Sequence, residues 1–100
     1  MAARMITYEV TVEVDNANLA RLDAYMTDKH IPEVMATGYF LAANYCQDGG
    51  RRRTLYEAAD QESLNGYLDT EAERLRQDFA VHFPSGVTAT REIWCLLASF

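Results

Sequence analysis

The sequence predicts an α+β sandwich, a four-stranded antiparallel sheet with two helices on one face. Three observations carry that expectation. Ile6, Tyr8, Val10, Val12 and Val14 alternate with Thr7, Glu9, Thr11, Glu13 and Asp15, the period-two pattern of a strand with one buried side. Two stretches, beginning at Leu19 and at Leu64, repeat apolar residues at three- and four-residue steps. Asp48-Gly49-Gly50 joins two strand-like runs with a tight hairpin signal.

In order, Ile6–Asp15 is the first strand, and Asp15 or Asn16 caps the helix that follows. Leu19, Leu22 and Met26 form the apolar stripe of that helix, with Tyr25 and Lys29 on its shoulder. The pattern continues, with an interruption, to Met35, and Gly38 stands where a C-terminal cap belongs. Tyr39–Gln47 is the second strand and Arg52–Ala59 the third. Asp60 caps a second helix carrying Leu64, Leu68, Ala72, Leu75 and Phe79 as its stripe, with Tyr67 and Phe83 at the edges. Pro84-Ser85-Gly86 ends it, and Val87–Ala98 is the last strand. The order β-α-β-β-α-β is that of the ferredoxin-like split βαβ unit. Right-handed crossovers put the first and third strands in the centre and both helices on one face.

One face of the sheet is then uncovered. The last strand, apolar on both sides from Ile93 to Leu97, offers it either Trp94 and Leu96 or Ile93, Cys95 and Leu97. Exposed apolar patches of this kind mark interfaces, and pairing two sheets across a twofold axis covers them. A homodimer through the open face is the expected partner; the alternatives are that Ser99 and Phe100 fold back over the patch or that the patch is simply tolerated.

The 100 residues suit one domain, 1–100, and their formal net charge of −6 argues against a nucleic-acid partner. RNA-recognition modules share this element order but need exposed aromatics on the central strands, whereas Tyr8 shares the buried valine face. Arg51-Arg52-Arg53 reads as a solvated hairpin tip. No apolar run is long enough for a membrane span, and Met1-Ala2-Ala3-Arg4 lacks a signal-peptide pattern, so a cytoplasmic location is expected. Cys46 and Cys95 have no CxxC spacing and are expected to be small buried hydrophobes, on opposite edge strands and too far apart to bridge. There is no Gly-rich phosphate loop, no G-x-S-x-G elbow and only two histidines, so no cofactor or metal is expected.

The stretch Lys29–Phe40 is the most distinctive. Pro32 lacks an amide hydrogen and its ring crowds the carbonyl of Asp28, while Ile31 before it is pushed from the helical region. The first helix should therefore kink or break at His30-Ile31, and Pro32 should open a short second segment with Glu33 in its first turn. His30 has two readings: it caps the freed helix end, or it projects into a cleft between helix and sheet with Glu33 orienting its ring, the arrangement of a general base.

The block His30-Ile31-Pro32-Glu33-Val34-Met35-Ala36-Thr37-Gly38-Tyr39-Phe40, with Tyr67-Leu68, Arg74–Asp78 and Phe83 downstream, resembles a family of small uncharacterised bacterial proteins carrying a domain of unknown function. These in turn resemble the dimeric α/β-barrel superfamily. The likeness spans about Met5 to Ala98. It implies a ferredoxin-like fold and a homodimer, with no activity attached. The family pattern often has a histidine where this chain has Phe79, which weakens the case for an enzyme; His82 is a substitute one turn on. If the superfamily's habit of acting on small molecules between helices and sheet extends here, His30 is the general base and Glu33 its orienter. Tyr56 and Arg74 are then ligand anchors, with Glu9 lining the cavity. Each also has a plainer role: Tyr56 as a half-buried strand aromatic, Arg74 as a helix-surface partner of Glu71 or Asp78, Glu9 as an exposed group facing arginines across the sheet. Two function classes result: a homodimeric small-ligand-binding or protein-interaction module, and a cofactor-free enzyme, of monooxygenase or isomerase type, for a small aromatic or acidic metabolite.

Overall fold

The computed structural model describes residues 4–100. Its elements follow the order β1 (Ile6–Val14), α1 (Leu19–Tyr25), a wide π-helical turn (Met26–His30), α2 (Ile31–Ala36), β2 (Ala42–Asp48), β3 (Arg51–Ala58), α3 (Gln61–Thr70), α4 (Ala72–His82) and β4 (Val87–Cys95). The strands form one antiparallel sheet in the order β2-β3-β1-β4, with β1 and β3 central as the crossovers require. Gly49 in the β2–β3 hairpin has φ +58°, the hand a tight two-residue loop needs. Asp60 caps α3, its carboxylate accepting from the Ser63 amide at 2.7 Å.

Alternation along β1 sorts the molecule into two sides. Ile6, Tyr8 and Val12 are buried on the helix side. There, Tyr8, Phe40, Tyr56 and Tyr67 form one aromatic cluster, neighbouring ring centroids lying 4.9–6.2 Å apart. Val12, Leu22, Tyr25, Met26 and Phe83 form a second cluster nearer α1. On the other side, register places Thr7 beside Trp94 and Glu57, and Thr11 beside Thr90 and Arg53. Among the described residues, no helix lies on that side.

Several expectations need correcting. The first helical run is not broken at His30-Ile31: Ile31 has φ −63° and ψ −45°, fully helical. The wide turn absorbs the proline instead, the Ile31 amide reaching back five residues to the Met26 carbonyl. The second helical run, expected to be continuous, is interrupted at Glu71 (φ −122°), so it is two helices. Within it Leu64, Ala72 and Leu75 of the expected stripe are buried, but Leu68 and Phe79 are only half-buried, while the edge residues Tyr67 and Phe83 are buried. The second strand begins at Ala42, because Phe40 turns into the core before pairing starts. Both cysteines are exposed and free, on edge strands that the helices leave largely uncovered.

The hairpin tip is not uniformly solvated either. Arg51 pairs with Asp48 and Arg53 bonds the Thr11 hydroxyl on the open side. Arg52 points to the helix side and is only 8% exposed. Its guanidinium grips Asp23 of α1 through Nε–Oδ1 (2.7 Å) and Nη2–Oδ2 (3.1 Å), and donates to the Gly49 carbonyl at 2.9 Å. Tyr45 donates to the same carboxylate at 2.7 Å. This fork ties α1 to the β2–β3 hairpin and holds the Asp23 carboxyl below its usual range, Arg52 being the main cause. Asp23→Ala leaves a nearly buried guanidinium unpaired; a loss of about 2 kcal/mol is expected, less than for a fully buried pair because Asp23 itself is half-exposed. Urea unfolding with an unchanged denaturant slope checks it.

Candidate functional site

A cavity of about 50 Å³ lies on the seam between the two core clusters, beneath α4 and above β1 and β4. The aromatic cluster supplies Tyr8, Tyr56 and Tyr67 to one wall; Val12 and Met26 close the other. Polar groups converge on it. His30 enters from the wide turn, Arg76 from α4 and Arg91 from β4. Arg76 donates through Nη2 to the Tyr8 hydroxyl at 3.0 Å. The chain as a whole is acidic, yet the charged side chains lining this cavity are both arginines. The volume is small beside the range of roughly 300–1,000 Å³ typical of ligand pockets, so a single chain accommodates only a compact ligand.

Protonation in the cavity follows from burial. Desolvation pushes the Tyr56 hydroxyl upward and the Tyr67 hydroxyl to about 12, the latter against the nearby charges of Arg76 and Arg91. Both stay protonated at neutral pH and can donate. His30 is held below its ordinary value, burial being the main cause, so the ring is neutral.

The ring of His30 packs against Tyr25 and Phe79, at centroid distances of 5.7 and 5.9 Å. Its Nδ1 lies 3.5 Å from the Tyr25 hydroxyl, which donates to Asp78 Oδ2 at 2.7 Å. Lys29 Nζ donates to the same oxygen at 2.7 Å. Lys29 and Tyr25 hold the Asp78 carboxyl below its usual range.

Of the residues singled out from sequence, His30 and Tyr56 both line the cavity. Glu33 lies in the first turn of α2 and pairs with Lys29 at 3.4 Å; the side chain that meets His30 Nδ1 is Tyr25. Arg74 lies on the solvated face of α4, paired with Glu71 at 2.7 Å. Glu9 is on the open sheet side, 4.0 Å from Arg53. His82 gives its Nδ1 hydrogen to the Asp78 carbonyl at 2.8 Å, and Phe79 occupies the cavity wall. Arg76 and Arg91 escaped the sequence reading. The signal was present: each interrupts an apolar row, Arg76 within Ala72–Phe79–Phe83 at helical spacing and Arg91 between Ala89 and Ile93 on the inner side of β4.

Among the described residues no three His, Cys, Asp or Glu side chains gather closely enough to hold a metal ion. No described helix is long and apolar enough to cross a membrane.

Element order and the β2-β3-β1-β4 sheet order define a ferredoxin-like α+β protein with an open sheet face. The chain belongs to the family described as a domain of unknown function (DUF4286), whose pattern matches residues 5–95. No curated protein matches it. Among solved structures it is similar to a protein of unknown function from Nitrosomonas europaea (TM-score 0.74, 19% identity, covering 100% of this chain and 96% of that one). It is also similar to a conserved protein of unknown function from Bacteroides thetaiotaomicron described as a possible oxidoreductase (TM-score 0.72, 14% identity, covering 95% and 100%). A third, a dimeric ferredoxin-like protein from an uncultured marine organism, has TM-score 0.67 at 14% identity, covering 97% and 99%. At these identities the likeness is one of fold.

Because the folded state keeps His30 neutral, unfolded chains take up a proton more readily as pH drops below 6.5, the ordinary histidine value. Stability should therefore be constant with respect to this group above that pH and decline through the weakly acidic range. Thermal melts of the protein and of His30→Gln across that range check it: the variant should show a shallower decline.

Proposed function

We propose that this protein is a homodimeric binding module for a compact organic acid. The observation that carries the proposal is the cavity under α4, where Arg76 and Arg91 face a neutral His30 and tyrosine hydroxyls that remain protonated. Two arginines lining a largely apolar hollow favour an anion, to which both can offer charge-assisted hydrogen bonds. Phenol donors suit a carboxylate or carbonyl oxygen, and the aromatic walls suit its carbon skeleton.

The dimer reading rests on the open sheet side. Trp94 is 57% exposed there, and the chain end does not cover it, since Phe100 is fully exposed. Arg51 and Arg53 of β3 lie on the same side as Glu9 and Glu13 of β1 and Glu92 of β4, so a twofold mate can meet both signs of charge around an apolar centre. A protein of similar fold is described as dimeric.

Light scattering at micromolar concentration should give the mass of two chains, and Trp94→Glu should give one; a monomer mass for the unaltered protein overturns the dimer. Chemical-shift titration with pyruvate, 2-oxobutanoate and benzoate should place the perturbed resonances at His30, Arg76 and Arg91. Arg76→Met and Arg91→Met should each weaken binding about 10-fold, the order of one charge-assisted hydrogen bond. Absence of binding by all three acids overturns the ligand reading.

A further inference from the structure

The hydrogen bonds behind His30 decide more than its position. Tyr25 has a single hydroxyl hydrogen, and its 2.7 Å bond to Asp78 Oδ2 uses it. Asp78 is held ionised by Lys29, so it has no proton to give back. The Tyr25 oxygen is therefore left as an acceptor, and what faces it is His30 Nδ1 at 3.5 Å. A ring nitrogen opposite an acceptor is stable when it carries the hydrogen, so neutral His30 has its hydrogen on Nδ1 and its lone pair on Nε2. The flanking rings of Tyr25 and Phe79 restrain the imidazole from turning over. The other charged groups near it are Lys29 and Glu33, which pair with each other, and Arg91 across the cavity on β4. The hydroxyls of Tyr56 and Tyr67 are raised and stay protonated at neutral pH, and the arginines are cations, so none of these takes the proton.

We propose that His30 Nε2 is a proton acceptor for a small carboxylic acid that carries a C–H bond next to a carbonyl, with Tyr25 and Asp78 as positioning residues; the proposal rests on the acid-binding reading of the cavity. The C–H bond breaks, its proton passes to Nε2, and its electron pair moves onto the carbonyl oxygen as an enolate. One arginine holds the carboxylate and the second meets the developing oxyanion. The new imidazolium is stabilised through Nδ1–H and the Tyr25 hydroxyl by the Asp78 carboxylate. Return of the proton to the same carbon gives back the acid, with exchange of its hydrogen for one from solvent. The step is redox-neutral and consumes no co-reactant.

Nitrogen NMR of the labelled protein at neutral pH reads the tautomer directly. The hydrogen is expected on Nδ1, with a shift toward Nε2 in Tyr25→Phe; a wild-type ring protonated on Nε2 overturns the proposal. In heavy water, exchange of the methylene hydrogens of 2-oxobutanoate should be at least about 100-fold faster with the protein than with His30→Gln. It should fall about 10-fold in Tyr25→Phe and Asp78→Asn while their affinity for 2-oxobutanoate is retained. Binding without faster exchange overturns this inference and leaves the acid-binding reading standing; absence of binding overturns both.

Discussion

Ile6, Tyr8, Val10 and Val12 have to leave water together, and a strand at the centre of a sheet lets all of them do so on one side. With β1 central, β3 and β4 flank it and the helices must lie over its apolar side. The opposite side inherits Thr7, Glu9, Thr11 and Glu13 and stays bare. The same alternation puts Tyr8 under the helices, where its hydroxyl finds Arg76. Cavity and open face are thus two products of one repeating pattern in the first strand.

The wide turn before Pro32 is the second constraint. A proline in mid-helix costs a hydrogen bond and a steric clash. Widening one turn lets the chain pass it without leaving helical geometry. π-helical turns are rare and gather at functional sites, since the extra residue re-aims the side chains beside it. Here His30 is the last residue of the turn, and Tyr25 immediately precedes it. The interruption in the sequence and the positioning of the imidazole have the same cause.

Much of the fold was legible because it rests on short-range rules: alternation in β1, the Gly-Gly hairpin, the Asp60 cap, and crossover handedness. What escaped was the reach of long side chains. Arg52 sits between two solvated arginines, and nothing local distinguishes it; only the arrival of Asp23 from α1 makes its burial stable. Arg76 looks like a surface helix residue until its guanidinium is seen bent back to Tyr8. Glu33 was chosen because it is close to His30 in sequence, but on a helix three residues is not enough when Lys29, one turn back, competes for the carboxylate. Tyr25 stands behind the ring because the wide turn brings the fifth residue back onto its face, and Asp78, forty-eight residues away, arrives only by tertiary packing. The cysteines were misjudged because Cys46 lies opposite Arg53 on the open side and Cys95 ends β4, where its side chain is exposed.

β4 has a sheet neighbour on one flank only, and nearly all of its side chains are exposed. Yet it contributes Ala89 and Arg91 to the cavity wall. The chamber is therefore fenced on one side by an edge strand. A ligand of the proposed kind would then enter by local opening at this edge strand, with the helices and the aromatic nucleus undisturbed, and its residence time would follow that local opening rather than the global unfolding barrier.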